Sequence, residues 1–379
     1  MPLQLFAPTF RVDECLKEIR ECLEKGWTGL GFKTVQFEKE WCAYTKLPHA
    51  HFLNSATSGL HLAVKILKQS YGWNDYDEII STPITFISTN HAISYENLHI
   101  TFADVDQFLC LDPDDVEKKI TPKTRAIVFV GLGGNTGQWP RIVELSKKYH
   151  LRLILDAAHM AGTRLDGKAA GNEADAIVYS FQAVKNLPTA DGGMICFKEK
   201  EHDLLARKLS WLGINKDTYT RTNSVGAYKW EYDVEQIGYK YHGNSIMASI
   251  ALAQLRYLDI DNSYRRQIAA WYDTFLADKC DSMRRILVAP RCESSRHLYI
   301  IEHNKRDEII MALNNFGIYP GVHYKDNTTF RMYNYAYGTC PHAHETSKKL
   351  LSLPMHLQLT YEDVENISSK LILLDKKTE

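Results

Sequence analysis

From about residue 54 to residue 197 the chain alternates helical and strand periodicities, and this rhythm constrains its fold more than any other feature. An apolar-periodic helix over Thr57–Leu67 is followed by the short run DEIISTP, then ITFAD, then the helix LDPDDVEKKI with an acidic first turn. The strand AIVFV at 126–130, a helix opened by Pro140, and the strands LRLILD, AIVYSF and GGMICF continue the series. Such βαβ alternation predicts an α/β fold with a large, mostly parallel sheet sandwiched by helices, and in such sheets ligand chemistry gathers at the carboxyl ends of the strands. From about residue 245 the pattern turns helical, and the last hundred or so residues mix short strands and helices. Two domains are expected: a large α/β domain over 1–245 and a smaller C-terminal α+β domain over 246–379.

Polar residues that end strands are the ones to weigh. In order they are Asp156 after LRLIL, Ser180 after AIVY, and Lys185 five residues beyond Ser180 in SFQAVKNLPTADGG. A carboxylate at a poorly solvated strand end wants a cationic partner, and a protonated pyridine nitrogen is one. Small and apolar neighbours would desolvate Lys185, lowering its pKa and making the amine a usable nucleophile and base. The segment NSATSGLHLAVKIL runs small residues into a helix start, where backbone N–H groups and the Thr57 and Ser58 hydroxyls could take a phosphate; a helix cap without a ligand would explain the same residues.

Competing readings are narrowed by composition and spacing. A formal net charge of −1 over 379 residues leaves no field that would select nucleic acid. No window approaches a membrane span and no export signal opens the chain, so a cytoplasmic enzyme is expected. The eight cysteines, Cys15, Cys22, Cys42, Cys110, Cys196, Cys280, Cys292 and Cys340, show no metal spacing and read as reduced structural thiols. The pairs His49/His51 and His342/His344 lack nearby Cys or carboxylate ligands and read as solvated or capping loop histidines, so no metal is expected. GLGGNTG after AIVFV imitates a dinucleotide-binding turn, but Gly131 plus five is Thr136, and Trp139 and Pro140 separate the loop from its helix.

With those pieces in place the chain resembles the DegT/DnrJ/EryC1/StrS sugar aminotransferases over roughly residues 5–365. The resemblance is carried in order by NSATSGLHLA, TPITFISTNHAI, FADVD, LILDAAHMAG, SFQAVKNLPTADGG, GYKYHGNSIMASIALAQL, GVHY and LSLPMH. It implies the aspartate-aminotransferase fold (fold type I), with pyridoxal 5'-phosphate as cofactor cycling through pyridoxamine 5'-phosphate. Lys185 matches the lysine that forms the Schiff base and Asp156 the carboxylate on the pyridine nitrogen. His159 matches a Gln or His near the cofactor's phenolic oxygen, Thr57, Ser58 and Ser180 match phosphate contacts, and Phe86 matches the aromatic on the ring face. His323 matches a residue near the substrate, and Trp27 and Thr28 lie where the family brings an N-terminal loop toward the site.

Two departures stand out. Where the family commonly has GYNYR, with the Asn reaching the neighbouring subunit's phosphate, this chain has Lys240; where it commonly has VHLYG, this chain has Val130-Gly131-Leu132-Gly133-Gly134, which must enlarge or rewire that side of the pocket. The resemblance implies a homodimer with shared active sites that moves an amino group from L-glutamate to a nucleotide-linked keto sugar (GDP, dTDP or UDP), most simply at C4 of a 4-keto-6-deoxyhexose. C3 amination, sugar dehydration by the branch that replaces the lysine with His, and a non-catalytic regulator are the alternatives. Retention of Lys185 favours aminotransfer.

Overall fold

The computed structural model describes residues 2–215, 232–277, 279 and 282–378; Cys280 lies outside them. Seven strands form the main sheet: β1 (His49–Leu53), β2 (Glu78–Ser81), β3 (His99–Phe102), β4 (Thr124–Val130), β5 (Arg152–Asp156), β6 (Ala176–Ser180) and β7 (Gly193–Phe197). Their spatial order is β1-β7-β6-β5-β4-β2-β3, and only β7 runs antiparallel to its neighbours. The central strands are buried along nearly their whole length, as expected for a sheet covered on both faces.

One face packs on α2 (Phe32–Thr45), α6 (Trp139–Lys148) and α8 (Ser245–Leu255), through Phe37, Trp41, Trp139, Ile142 and Leu252. The other packs on α3 (Ala56–Tyr71), α4 (Ile87–Ser94) and α7 (Lys200–Ser210), through Leu60, Leu67, Ile93 and Leu209. Between them in sequence, α1 (Val12–Glu24) precedes α2, and α5 (Pro113–Lys118) is opened by Asp112, whose side chain accepts from Asp114 N at 2.9 Å.

The helical stretch after 245 is two helices, α8 and α9 (Leu258–Leu276). Ala248, Ala251 and Leu252 of α8 belong to the large core, whereas a separate cluster begins at Ile268 in α9 and runs to Leu371. The α8 helix therefore packs with the large core, through the apolar face it turns to α2, and the second cluster starts within α9. The second cluster packs around an antiparallel sheet of β8 (Met283–Arg285), β9 (Tyr299–His303) and β10 (Leu350–Leu353).

The histidine pairs are not loop residues. His51 lies buried in β1, with Nδ1 2.9 Å from Glu38 Oε1 and Nε2 2.7 Å from Ser210 Oγ. His342 and His344 lie on the helix Pro341–Ser347, where His342 N donates to Asp104 Oδ2 and His344 Nδ1 is 2.9 Å from Asp326 Oδ2. Their acidic partners come from distant segments, which local spacing does not reveal.

β7 sets the position of the α3 start. A Cβ at Gly193 would lie 2.5 Å from the Ser55 carbonyl carbon and oxygen, so glycine alone lets the strand pass beneath the helix cap. Gly193→Ala is expected to cost about 1–3 kcal/mol, seen as a lower denaturant midpoint at unchanged m-value, and to displace the segment Ser55–Thr57.

Candidate active site

β5 ends on Asp156, β6 ends on Ser180, and the turn between β6 and β7 carries Lys185. With the α3 start they enclose a cavity of ≈ 440 Å3. Of the residues predicted from sequence, Thr57, Phe86, Asp156, His159, Ser180, Lys185 and His323 line it. Ser58 sits behind the wall: its hydroxyl donates to Asn54 Oδ1 at 2.6 Å and its N–H to Ser55 Oγ at 3.2 Å, so it serves the helix cap. Lys240 rests its amine 3.5 Å from the Trp211 ring centroid, and its carbonyl accepts from Asn54 Nδ2. Trp27 donates its indole N–H to Leu30 O, and the Thr28 carbonyl accepts from Ser245 N; neither lines the cavity.

Asp156 is 4% exposed and receives only neutral hydrogen bonds, from Thr89 Oγ1 at 2.7 Å and Ala158 N at 3.1 Å. Burial raises its pKa, against these bonds and the nearby Lys185 charge. Thr85 Oγ1 lies 2.9 Å behind Thr89 and fixes its rotamer, since Thr89 spends its own hydrogen on Asp156. Burial also pushes the Lys185 ammonium down to about 8, with Asp156 pulling weakly the other way. Lys185 makes no ion pair among the described residues. The pair is therefore a carboxylate awaiting a cation beside an amine easily freed of its proton.

Of the far wall, His159 and His323 are expected from the sequence and their neighbours are not. Gly133 N–H donates to His159 Nδ1 at 3.2 Å, so the neutral imidazole carries its hydrogen on Nε2, which lies 3.3 Å from the Tyr324 hydroxyl. Burial and the Lys185 charge keep His159 well below the ordinary imidazole range. The same two influences bring His323 to about 4; its Nδ1 is 3.0 Å from Ser352 Oγ. Tyr324, His297, Phe6 and Thr89 are the members that sequence reasoning missed. Only Thr85/Thr89, four apart on one turn, offered a local signal.

The glycine run is explained here. A Cβ at Gly131 would meet the Met160 sulfur at 2.0 Å, and one at Gly134 (φ +88) would meet Ser295 Oγ at 2.3 Å. Without side chains the run lets the segment around Ser295 pack down: Ser295 Oγ donates to His159 O at 2.7 Å and His297 N to Gly133 O at 3.2 Å. The pocket side is rewired, with His297 brought to 4.3 Å from the His159 ring.

A pyridoxal phosphate fits this donor set. The buried Asp156 carboxylate, with neutral hydrogen-bond partners, suits its ring nitrogen, Lys185 its aldehyde, and the start of the 16-residue α3, with Ser55, Ala56 and Thr57 on the cavity wall, its phosphate. Fold and constellation together define a fold type I pyridoxal-phosphate enzyme.

The chain belongs to the DegT/DnrJ/EryC1/StrS aminotransferase family, whose model matches residues 11–372. It is similar to the spore coat polysaccharide biosynthesis protein SpsC of Bacillus subtilis, 33% identical over 366 residues that span 93% of this chain and 92% of that protein. Among solved structures it is similar to the aminotransferase TlmJ from Streptoalloteichus hindustanus, with a TM-score of 0.92 and 29% identity over 100% of both chains. It is also similar to Helicobacter pylori PseC, an aminotransferase involved in the biosynthesis of pseudoaminic acid, with a TM-score of 0.90 and 27% identity over 100% of both chains. The protein is thus a pyridoxal-phosphate-dependent sugar aminotransferase.

Only the unprotonated amine attacks an aldehyde. In protein stripped of cofactor, the rate of condensation of Lys185 with added pyridoxal phosphate should rise with pH through about 8 and level off above it. Asp156→Asn removes the charge that favours the ammonium, so the inflection should move lower. Stopped-flow absorbance reads both; an inflection near the ordinary lysine value of ~10.4 would contradict the desolvated site.

Proposed function

We propose that this aminotransferase takes its amino group from L-glutamate and delivers it to C4 of a nucleotide-linked 4-keto-6-deoxyhexose, supplying an amino sugar for a surface polysaccharide or glycan. The observation that carries the reading is a lysine, lowered to about 8, facing a lone buried carboxylate in a cavity broad enough for a sugar. Relatives named for polysaccharide and pseudoaminic acid biosynthesis support the sugar and its destination.

The bound cofactor supplies an electron sink for the pair left behind when an α-proton departs. Asp156 holds a proton on the ring nitrogen, which its burial makes worth more than in water. Lys185 would anchor the cofactor, and its amine, lowered to about 8, would be the group that takes up and returns the proton of the substrate carbon. Thr57, Ser180 and the first amides of α3 take the phosphate, and Phe86, 59% exposed at the mouth, covers the ring face. His159 spends its single N–H on Tyr324, which leaves the phenol hydrogen to face the cavity.

We read the working unit as a homodimer with shared sites. Ile237 stands 87% exposed, and close to it in sequence Lys240 occupies the position at which the family Asn reaches the neighbour's phosphate. Sedimentation should give a dimer; a monomer with full activity would contradict this.

Purified protein with pyridoxal phosphate should absorb in the near-visible, lose the band to borohydride, and bleach with L-glutamate. A panel of keto-sugar nucleotides read by mass should then show one amino-sugar product. A product that has lost water instead would establish dehydration. Asp156→Asn is expected to lower kcat/KM by about two to three orders of magnitude with the cofactor still bound.

A further inference from the structure

A chain of buried polar groups ends at the cavity wall. Asn262 Nδ2 donates to Ala161 O at 2.9 Å, so the Asn262 oxygen is the atom turned toward Asn186. Asn186 Nδ2 donates to that oxygen and to the Ser295 carbonyl, both at 2.7 Å. A backbone carbonyl can only accept, and this fixes the Asn186 amide. Asn186 Oδ1 is then the atom 3.0 Å from His297 Nδ1, and Nδ1 must carry the hydrogen. Burial, reinforced by His159 and Lys185, holds His297 well below the ordinary imidazole range, so the ring is neutral and Nε2 is a bare lone pair.

Nε2 makes no hydrogen bond among the described residues, although His297 is 1% exposed and lines the cavity. The ring cannot swing away. Phe6 stacks on one side at 5.3 Å and 10°, and the His159 ring stands at 4.3 Å.

A fixed acceptor in a cavity selects among its occupants. The cofactor's phosphate and phenolic oxygen, and the carboxylates of an amino-acid donor, are themselves acceptors and gain nothing from it. Sugar hydroxyls are donors. We propose that His297 is a specificity-determining residue whose Nε2 accepts a hydrogen bond from a hydroxyl of the sugar substrate, with Asn186 as the positioning residue that locks the ring. This rests on the reading that the amino acceptor is a keto-sugar nucleotide.

The test uses the full-length holoenzyme and reads the two half-reactions separately by cofactor absorbance. His297→Asn keeps an N–H toward Asn186 but has no acceptor at the Nε2 position; His297→Gln keeps an acceptor there and loses the lock. In His297→Asn the sugar step should lose about tenfold more in kcat/KM than the glutamate step, and His297→Gln should recover part of that difference. Equal losses in both steps would mean that His297 acts on Lys185, and would overturn the proposal, as would no loss in either.

Single-deoxy analogues of the keto-sugar nucleotide on the wild-type protein give a readout that needs no variant to fold. One analogue should lose about tenfold, and in His297→Asn that penalty should disappear. An unchanged analogue profile in the variant would overturn the assignment. A wild-type enzyme that accepts glutamate but no keto-sugar nucleotide would remove the functional reading, and this inference with it.

Discussion

Everything at this site is arranged around one buried charge. A carboxylate at the end of a central strand, covered on both faces of the sheet, is costly unless something cationic meets it. Asp156 has only a hydroxyl and an amide for company, from Thr89 and Ala158, and its pKa is raised in consequence. A cation bound beside it would remove that cost, and this is the place proposed for the cofactor's ring nitrogen. The same desolvated setting that strains Asp156 frees the Lys185 amine near neutral pH, so a single dielectric environment prepares both the electron sink and the nucleophile.

Around that charge the wall is assembled from opposite ends of the chain. Phe6 comes from the N-terminal segment, which pairs at Leu3–Gln4 with Ile318–Tyr319. The segment that follows His323 and Tyr324 is anchored at Asn327, whose Nδ2 donates to Thr85 O at 3.0 Å and whose Oδ1 accepts from Asn90 Nδ2 at 2.8 Å. The segment that carries His297 packs down on Gly134, where a Cβ would meet Ser295 Oγ at 2.3 Å. The imidazoles arrive neutral and each in one tautomer, set by a backbone N–H for His159 and by an amide oxygen for His297. A wall of neutral, oriented imidazoles can discriminate hydroxyl groups without competing with Lys185 for protons.

How much of this could be read beforehand differs by element. The strands from DEIISTP to GGMICF were legible because strands buried on both faces are short apolar runs bounded by polar turns, and Asp156, Ser180 and Lys185 follow from where such runs end. The first strand, His49–Leu53, was not: its alternation of His and apolar residues looks like a surface segment until Glu38 and Ser210 are brought against it. Which core the helix after residue 245 joins was hidden for a similar reason. An apolar helix following a loop suggests a new domain, and only the packing of Ala248, Ala251 and Leu252 against the large core shows which domain owns it.

By itself the sequence determined the α/β sheet, the order of its strands' polar ends and the family, because these depend on local periodicity and on motifs a few residues long. Tertiary structure decided which predicted phosphate contacts face the cavity, with Thr57 lining it and Ser58 turned into the cap. It also decided what the glycine run is for, and that His297 ends as a bare acceptor. The state of His297 hangs on contacts between residues more than a hundred positions apart, such as Asn186 with Ser295 and with His297, and no local pattern encodes such pairs.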